Sequence, residues 1–262
     1  MDVGYYATCA GLQAQSQALE VAAHNLANLN TAGFRGQQPT FQTLLAASHL
    51  TLPNILNLAT NNFGVLEGTH LDMTPGNLQT TGNPLDVAIE GSGFFAVLTA
   101  GGIRYTRNGS FQVSKAGQLV TAAGDLVLGD PALKERGGIN VPAGAVSIAS
   151  DGTLSVDGAV AGNIQLVEFA PGTRLISEGG SLLAAPLGSV PQPSLQSSSQ
   201  SSLQSSSQSM LKQGALESSN VNPISSVVAL IGVQREAEML QRAMSLFDTE
   251  FNRIATTDLP KV

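Results

Sequence analysis

Few residues in the sequence have the types and the spacing that catalysis, nucleotide binding or metal binding requires. Gly91-Ser92-Gly93 could be read as a phosphate-binding turn, but the nucleotide fingerprint continues into a helix, whereas the apolar run Phe94–Leu98 predicts a strand. The residues around Ser92 also lack the spacing of a nucleophile elbow. Cys9 and His24 lie about four turns apart on one predicted helix, too far for a nucleophile and its base. Neither a nucleotide site nor a nucleophilic catalyst is therefore predicted.

Histidines and acidic residues do not form a recognisable metal or hydrolase site. His70 and Asp72 are close enough to share a metal ion, but no third ligand follows them, and a surface or strand pair is the favoured interpretation. Most acidic residues of the centre are expected in turns or at strand ends: Asp86, Glu90, Asp125, Asp130, Asp151 and Asp157. Paired carboxylates for glycoside hydrolysis stay open as an alternative. No cofactor and no metal ion are predicted.

The composition excludes several classes of protein. The charged fraction is 12% and the net charge is −7, so no basic face is available for nucleic acid. One cysteine excludes an internal disulfide framework. No apolar run reaches the ~18 residues of a membrane helix, and the opening Met-Asp has no basic region, so we expect neither an integral membrane protein nor a cleaved signal peptide. At 42% hydrophobic residues, the chain has enough apolar side chains for a core.

Both ends of the chain are written in heptads. Near the N-terminus, Tyr5, Leu12, Leu19 and Leu26 recur every seventh residue, which predicts a helix from Tyr5 to about Asn30. Near the C-terminus, Asn222-Pro223 predicts a helix start, and Pro260 forbids continuation. The predicted seam residues, which would pair the helices as a coiled coil and mediate assembly, are Leu12, Leu19, Leu26, Leu230, Val233, Ala237, Leu240, Met244, Phe247, Phe251 and Ile254.

The centre of the chain, 69–186, has the pattern of a mainly antiparallel β domain. Short alternating or apolar runs are separated by turn dipeptides, which are typical of hairpins. These dipeptides are Gly101-Gly102, Asn108-Gly109, Gly124-Asp125, Asp151-Gly152 and Asp157-Gly158. The fold class is therefore α+β.

A tandem repeat interrupts the pattern after this domain. Residues 194–201 read Ser-Leu-Gln-Ser-Ser-Ser-Gln-Ser, and 202–209 repeat them identically. Because such a sequence buries almost nothing, we expect an exposed, flexible linker over 187–210. The complete predicted division is a helical axial segment at 1–46, a connector at 47–68, the β domain at 69–186, this linker, and a second helical axial segment at 211–262.

One segment near the N-terminus resembles the signature of the bacterial flagellar rod and hook proteins. In that family the segment reads approximately A-N-N-L-A-N-x-N-T-x-G-F followed by Lys or Arg, and here His24 stands at the first Asn and Arg35 at the last position. The matching signature residues are Asn25, Leu26, Ala27, Asn28, Asn30, Thr31, Gly33 and Phe34. Two further stretches are similar to the family, one from Thr81 to Phe111 and one from Gly214 to Pro223.

The resemblance implies a structural subunit of the flagellar basal-body rod, either proximal or distal, and not an enzyme. It implies paired terminal helices, and self-assembly of many copies into a hollow axial tube that transmits torque. The expected partners are copies of itself, other rod and hook subunits, and the flagellar export apparatus. The expected location is the periplasmic rod of the basal body. The alternatives are a hook or other axial component and, from a different class, a secreted β-domain enzyme acting on peptidoglycan.

Overall fold

The structure, a computed structural model, describes residues 2–44, 63–129, 138–170, 172–186, 188–193 and 209–257. The chain divides into two compact units. The helical unit comprises Met1–Ala27, Gln37–His70 and Asn222–Val262, and the β unit comprises Asn28–Gly36 and Leu71–Val221. The α+β class expected from the sequence is confirmed.

The described residues form two helices and a succession of short strands. The helices are α1 (Asp2–Ala27) and α2 (Pro223–Thr257). The strands are β1 (Gln37–Leu44), β2 (Phe63–Leu71), β3 (Leu78–Thr80), β4 (Val87–Glu90), β5 (Phe94–Thr99), β6 (Gly102–Thr106), β7 (Phe111–Val113), β8 (Leu119–Thr121), β9 (Leu126–Val127), β10 (Val146–Ile148), β11 (Thr153–Val156), β12 (Ala159–Asn163), β13 (Leu166–Glu168), β14 (Ile176–Ser177), β15 (Leu182–Ala184), β16 (Gln192–Pro193), β17 (Met210–Gln213) and β18 (Ala215–Glu217).

The end of α1 and the start of α2 both have local causes. The α1 helix stops at Ala27, before the predicted Asn30, because the next residues form a turn in which the Thr31 amide donates to the Asn28 carbonyl at 3.2 Å. The α2 helix begins as predicted: the Asn222 Oδ1 accepts the Ile224 amide at 2.9 Å. This N-cap accepts a hydrogen bond from one of the first-turn backbone amides, which have no partner within the helix.

Within the helical unit, α1 and α2 contact each other. The Gln15 side-chain amide donates to the Glu236 carboxylate. A methyl group added at Gly11 would lie 3.4 Å from the Leu240 Cδ1, so the helices approach closely at this point. Such a close approach between helices is what a small residue permits.

The helical unit also contains a strand pair that the sequence patterns did not predict. Strand β1 pairs with β2, and the Thr40 hydroxyl donates to the Gly68 carbonyl at 3.0 Å. The predicted helical segment 1–46 therefore contains a strand at its end, and the predicted connector 47–68 includes the start of another. The reason is local, since Pro39 and the β-branched Thr40 disfavour a continued helix.

The β unit is built from antiparallel pairings. Its largest sheet has the strand order β14-β15-β6-β5-β9-β8-β7, and β13 also pairs with β5. Strands β10, β11 and β12 form a separate meander, while β17 pairs with β4 and β18 with β3. The main core fills the interior with side chains that are at most 6% exposed: Val87, Ile89, Phe95, Val97, Phe111, Leu119, Val127, Ile139, Val141, Ile148, Leu154, Val156, Ile164, Leu166 and Leu211.

The turn dipeptides are hairpin turns with one exception. Asp157-Gly158 closes β11 onto β12 with both residues at positive φ (51° and 83°), as a two-residue hairpin requires. Asn108-Gly109, in contrast, joins β6 to β7, which do not pair with each other. The Gly109 carbonyl accepts the Val87 amide at 3.0 Å, and a Cβ at Gly109 would lie 1.7 Å from the Val87 carbonyl oxygen. The hairpin prediction is wrong here because the glycine serves a close backbone approach.

The structure also changes the boundaries near the tandem repeat. Residues 194–208 lie outside the described residues, but β16 pairs with β13 just before them. Ser209, the last residue of the second copy, is 2% exposed, and it leads directly into β17. Strands β17 and β18 belong to the β unit, so the predicted C-terminal helical segment 211–262 begins with strands and becomes helical only at Pro223.

Candidate functional site

The signature begins at the end of α1, within the helical unit. The Asn25 side chain pairs with the backbone of Gln37: its Nδ2 donates to the carbonyl at 2.7 Å, and its Oδ1 accepts the amide at 2.9 Å. Leu26 is half-buried, and Ala27, the last helical residue, is exposed. The amide of Asn25 thus substitutes for a backbone partner and fixes the end of α1 against the start of β1.

The rest of the signature forms a tight turn in the β unit. The Thr31 hydroxyl donates to the Asn28 Oδ1 at 3.1 Å, and the Phe34 amide donates to the Thr31 carbonyl at 3.3 Å. Asn30 is exposed, whereas the Phe34 side chain is 1% exposed. The turn therefore buries one aromatic anchor and presents its polar side to solvent.

Gly33 makes this turn possible. Its φ is +67°, a conformation that costs other L-residues about 1–2 kcal/mol. A Cβ at Gly33 would lie 2.3 Å from the backbone carbon of Arg107 and from the Asn108 nitrogen. The Gly33 amide donates to the Glu217 carbonyl at 2.7 Å. Position 33 requires glycine both for its conformation and for the close approach of the neighbouring backbone.

A buried ion cluster lies directly after the signature. The Glu217 Oε1 is 2.7 Å from the Arg35 Nη2, and the Glu217 Oε2 is 3.2 Å from the Arg107 Nη1. These three side chains are 1%, 2% and 5% exposed, respectively. The Gly76 amide donates to the Glu217 Oε1 at 2.8 Å. One carboxylate therefore contacts two guanidinium groups from distant parts of the chain, and the three side chains together keep a net charge of +1.

The two arginines also hold neighbouring backbone. The Arg35 Nη1 donates to the Thr74 carbonyl at 2.6 Å, and the Arg107 Nη2 donates to the Gly91 carbonyl at 2.7 Å. The Arg107 guanidinium lies 5.0 Å from the Phe94 ring centroid, within cation–π range. Burial lowers the pKa of Arg107; the nearby Glu217 opposes this shift, and Arg35 adds to it. Glu168 also acts to raise this pKa, and Glu217 is the carboxylate that contacts both arginines of the buried cluster.

Asn220 ties together three segments of the β unit. Its Oδ1 accepts the Gly36 amide at 2.7 Å, and its Nδ2 donates to the Asp72 carbonyl at 2.9 Å and to the Thr74 carbonyl at 3.0 Å. The Asp72 amide in turn donates to the Gly36 carbonyl at 2.8 Å. Gly36 and Asp72 lie close to points where the chain leaves or enters this unit. One side-chain amide therefore fixes these segments relative to each other.

We call this arrangement, formed by 28–36, 72–76, Arg107 and 216–220, the junction cluster. Beside it lies a cleft of about 600 Å³, lined in part by Phe94, Phe169 and Leu175. The Arg107 and Glu217 groups that line it are paired with each other. The cleft therefore presents an apolar wall and a buried ion pair, and the second carboxylate on its lining, Glu90, is exposed and lies 3.7 Å from the Lys212 Nζ.

The residues considered in the sequence for catalysis or metal binding form hydrogen bonds with neighbouring groups. The Ser92 hydroxyl donates to the Glu168 Oε1 at 2.9 Å, and the Asp72 Oδ1 accepts the amide and the hydroxyl of Thr74. Asp86 accepts hydrogen bonds from Thr81 and Asn83. In the part of the chain that the structure describes, no three His, Cys, Asp or Glu side chains are placed to hold a metal ion. These carboxylates stabilise loops.

The predicted seam residues lie on the two helices of the helical unit. On α2, half-buried positions recur with heptad spacing at Leu230, Val233, Ala237, Leu240 and Met244. The side chains of Phe247, Phe251 and Ile254 lie outside the described residues. On α1, Leu12, Leu19 and Leu26 are half-buried, while the fully buried positions in 8–27, where the structure describes side chains, are Ala14, Gln15, Ala18 and Val21. The two least exposed of these are the small Ala18 and Ala14, and the role of the leucines in assembly stays a prediction.

Three family models match segments of the chain. They are the flagella basal body rod protein at residues 7–35, the flagellar hook protein FlgE/F/G D1 domain at 88–156, and the flagellar basal body rod FlgEFG protein C-terminal at 212–256. The first model ends at Arg35, and the third includes Glu217 and Asn220. The matches therefore include parts of the junction cluster from both ends of the chain.

Whole-chain relatives agree with the models. The flagellar basal-body rod protein FlgF of Caulobacter vibrioides is 31% identical over 100% of both chains. The FlgF of Escherichia coli is 34% identical over 95% of this chain and 96% of its own. The FlgG rod protein of Buchnera aphidicola is 32% identical over 94% and 95%. With this identity over nearly the full length and with matches at both ends and in the centre, the chain belongs to the family of flagellar basal-body rod proteins.

Proposed function

We propose that the chain is a structural subunit of the rod that assembles with further copies of itself through its terminal helices. In this proposal, α1 and α2 of each subunit pair as a coiled coil, and many subunits form a hollow axial tube in the periplasm. Packing between the subunits transmits torque. The other rod and hook subunits are its neighbours, and the flagellar export apparatus delivers it without a cleaved signal peptide. Family membership supports this proposal.

The observation that supports self-assembly is an exposed apolar stripe on α2, separate from the half-buried heptad positions. Ile224, Val228 and Ile231 follow each other at spacings of four and three residues, and Met239 and Leu246 continue on the same side of the helix. Their side chains are exposed by 76%, 64%, 43%, 62% and 66%. The stripe lies opposite the half-buried residues of α2. Exposed apolar side chains in register along a helix indicate a contact surface.

The enzyme alternative has no comparable support. Glycoside hydrolysis needs two carboxylates facing one cleft. The Asp151 Oδ1 accepts the Thr153 amide of its own turn at 3.0 Å, and the Asp157 Oδ1 accepts the amide of Ala145, directly before β10, at 2.9 Å, so both carboxylates hold local backbone. Neither described helix has the length and hydropathy that would let it span a bilayer.

Replacing Met239 by Asp tests the assembly stripe without disturbing the helix pair. Because Met239 is 62% exposed, the purified variant should keep the helical circular dichroism and the melting temperature of the unchanged protein. In cells that carry it as the sole copy, we expect loss of swimming, basal bodies without a complete rod, and secreted but unassembled subunit. A carboxylate in an assembled apolar contact is unpaired, and the defect repeats in every copy.

The matched control is Gln241→Asp, which introduces the same group at an exposed position two residues further along α2, away from the stripe. We expect cells carrying Gln241→Asp to swim normally. Normal swimming and complete basal bodies with Met239→Asp would contradict assembly through this stripe.

A further inference from the structure

Glu217 is the meeting point of three distant segments in the β unit. Its backbone carbonyl accepts the Gly33 amide at 2.7 Å, and its carboxylate contacts Arg35 and Arg107. Glu217 itself is the last residue of β18, where it lies opposite Leu78 of β3. The signature turn, the end of β6 and the strand before α2 therefore share one residue as their common partner.

The charge balance of the cluster depends on this residue. With Glu217 in place, the three side chains carry a net charge of +1. Without it, two guanidinium groups that both contact the Glu217 carboxylate would lie buried close to each other with no carboxylate between them. The charge of Arg35 already acts to lower the pKa of Arg107, whereas Glu217 and, more weakly, Glu168 act to raise it. The Arg35 Nε and the Arg107 Nε are both buried without a hydrogen-bond partner. Apart from Glu217, the arginines contact the Thr74 and Gly91 carbonyls and the Phe94 ring, and Glu168 adds a weaker favourable charge to Arg107. Glu217 is the carboxylate that contacts both guanidinium groups, and removing one partner of a buried ion cluster is strongly unfavourable.

We propose that Glu217 is a shared counter-ion that makes docking of the signature segment 28–36 conditional on docking of β18. Before β18 pairs with β3, Arg35 has no buried carboxylate to meet and Gly33 has no carbonyl to donate to. The signature turn and the strand that precedes α2 then dock together or not at all. In the sequence, the signature directly follows α1 and β18 closely precedes α2, so Glu217 is a positioning residue for the two segments of the β unit that adjoin the helices along the chain. This inference concerns folding within the β unit and stands whether or not the assembly stripe does.

Amide hydrogen exchange on the full-length chain tests the coupling. In Glu217→Gln, the acceptor for Gly76 is kept and the negative charge is lost. We expect exchange at Gly33, at Gly76 and in β18 to accelerate together by a similar factor of about ten or more, while β5 and β6 stay protected. Acceleration confined to β18, with Gly33 unchanged, would overturn the proposal.

A rescue variant separates shared charge from simple loss of contacts. The triple variant Arg35→Met, Arg107→Met, Glu217→Gln removes more hydrogen bonds than Glu217→Gln alone, but it leaves no buried charge. Because neutral replacements of buried ion clusters are often tolerated, we expect the triple variant to recover at least half of the melting temperature lost in Glu217→Gln. A triple variant that melts at or below the single variant, or that does not fold, would contradict the counter-ion role.

The matched control is Glu178→Gln. Glu178 pairs with Arg104 in the same β unit, but these side chains are 43% and 20% exposed. Exposed pairs contribute little because water screens them. We expect Glu178→Gln to leave exchange at Gly33 and in β18 unchanged; acceleration there equal to that of Glu217→Gln would mean that any lost charge loosens this region, against the proposal.

Discussion

Replacing Gly33 by Ala should destabilise the β unit far more than the conformation of the residue alone explains. The φ of +67° costs alanine about 1–2 kcal/mol relative to glycine. The new Cβ would also lie 2.3 Å from backbone atoms of Arg107 and Asn108, where 3.4–4 Å is ordinary contact. Relieving that overlap requires a shift of more than one ångström in rigid backbone, which adds about 1–3 kcal/mol. The two contributions together predict a loss of about 2–5 kcal/mol.

Gly82→Ala supplies the matched control. Gly82 has a φ of +75°, and a Cβ there would meet nothing within 4 Å. The backbone penalty is the same, and it is partly offset by about 0.4–1 kcal/mol of lost freedom in the unfolded chain, so we expect a loss near 1 kcal/mol. Because the conformational penalty and the unfolded-state offset apply to both variants, the difference is the overlap contribution of about 1–3 kcal/mol, which corresponds to a melting temperature about 2–12 °C lower for Gly33→Ala than for Gly82→Ala.

Thermal unfolding of both variants, followed by circular dichroism, measures this difference, and amide exchange at residue 33 locates it. The melting temperatures of the two variants should differ even though each replaces a glycine of positive φ by the same residue. If they agree within about 2 °C, the close approach of Arg107 to Gly33 does not constrain the turn, and position 33 requires glycine for its conformation alone.

Two further predictions concern single hydrogen bonds. Asn222→Ala removes the cap whose Oδ1 accepts the Ile224 amide, so the start of α2 should lose about 1 kcal/mol, seen as faster exchange in its first turn; Asn222→Asp should retain the cap. The hydrogen bond from the Thr153 amide lowers the pKa of Asp151 below its usual 3.8. The ionised carboxylate therefore stabilises the folded state above pH 3.8, and this contribution is lost as the pH falls through the lowered pKa. The free energies of unfolding of Asp151→Asn and of the unchanged protein should therefore differ most above about pH 4 and converge in acid. Equal free energies of unfolding at every pH would contradict a lowered pKa of Asp151 in the folded state.

The hairpins and helices were largely predictable because their causes are local. Asp157-Gly158 can adopt two successive positive φ angles, and Asn222-Pro223 caps a helix, whatever the rest of the chain does. Asn108-Gly109 has equally strong turn chemistry, yet Gly109 is needed for the approach of Val87. A dipeptide pattern cannot distinguish these two uses of glycine, since the second depends on a strand elsewhere in the chain.

The junction cluster was only half predictable. Arg35 could be singled out from the signature, but nothing near Glu217 or Arg107 in the sequence identifies them as its partners. The pairing is made by the docking of β18 onto β3, a contact between segments far apart in the chain. The most buried positions of α1 were missed for a different reason. Ala14 and Ala18 are small, so a search for large apolar residues favours the adjacent leucines.

The burial of Ser209 has a consequence for how the tandem repeat can change in length. The Ser209 hydroxyl donates to the Glu168 Oε1 at 2.7 Å and accepts the Gly93 amide at 3.0 Å. Ser209 ends the second copy of the octapeptide, and Ser201 ends the first. If slippage during DNA replication removed one copy or added another, a serine from the repeat would still stand immediately before Met210. The reading frame and this anchor would both survive, so a change in the number of repeats would leave the strand that leads to Glu217 unaltered.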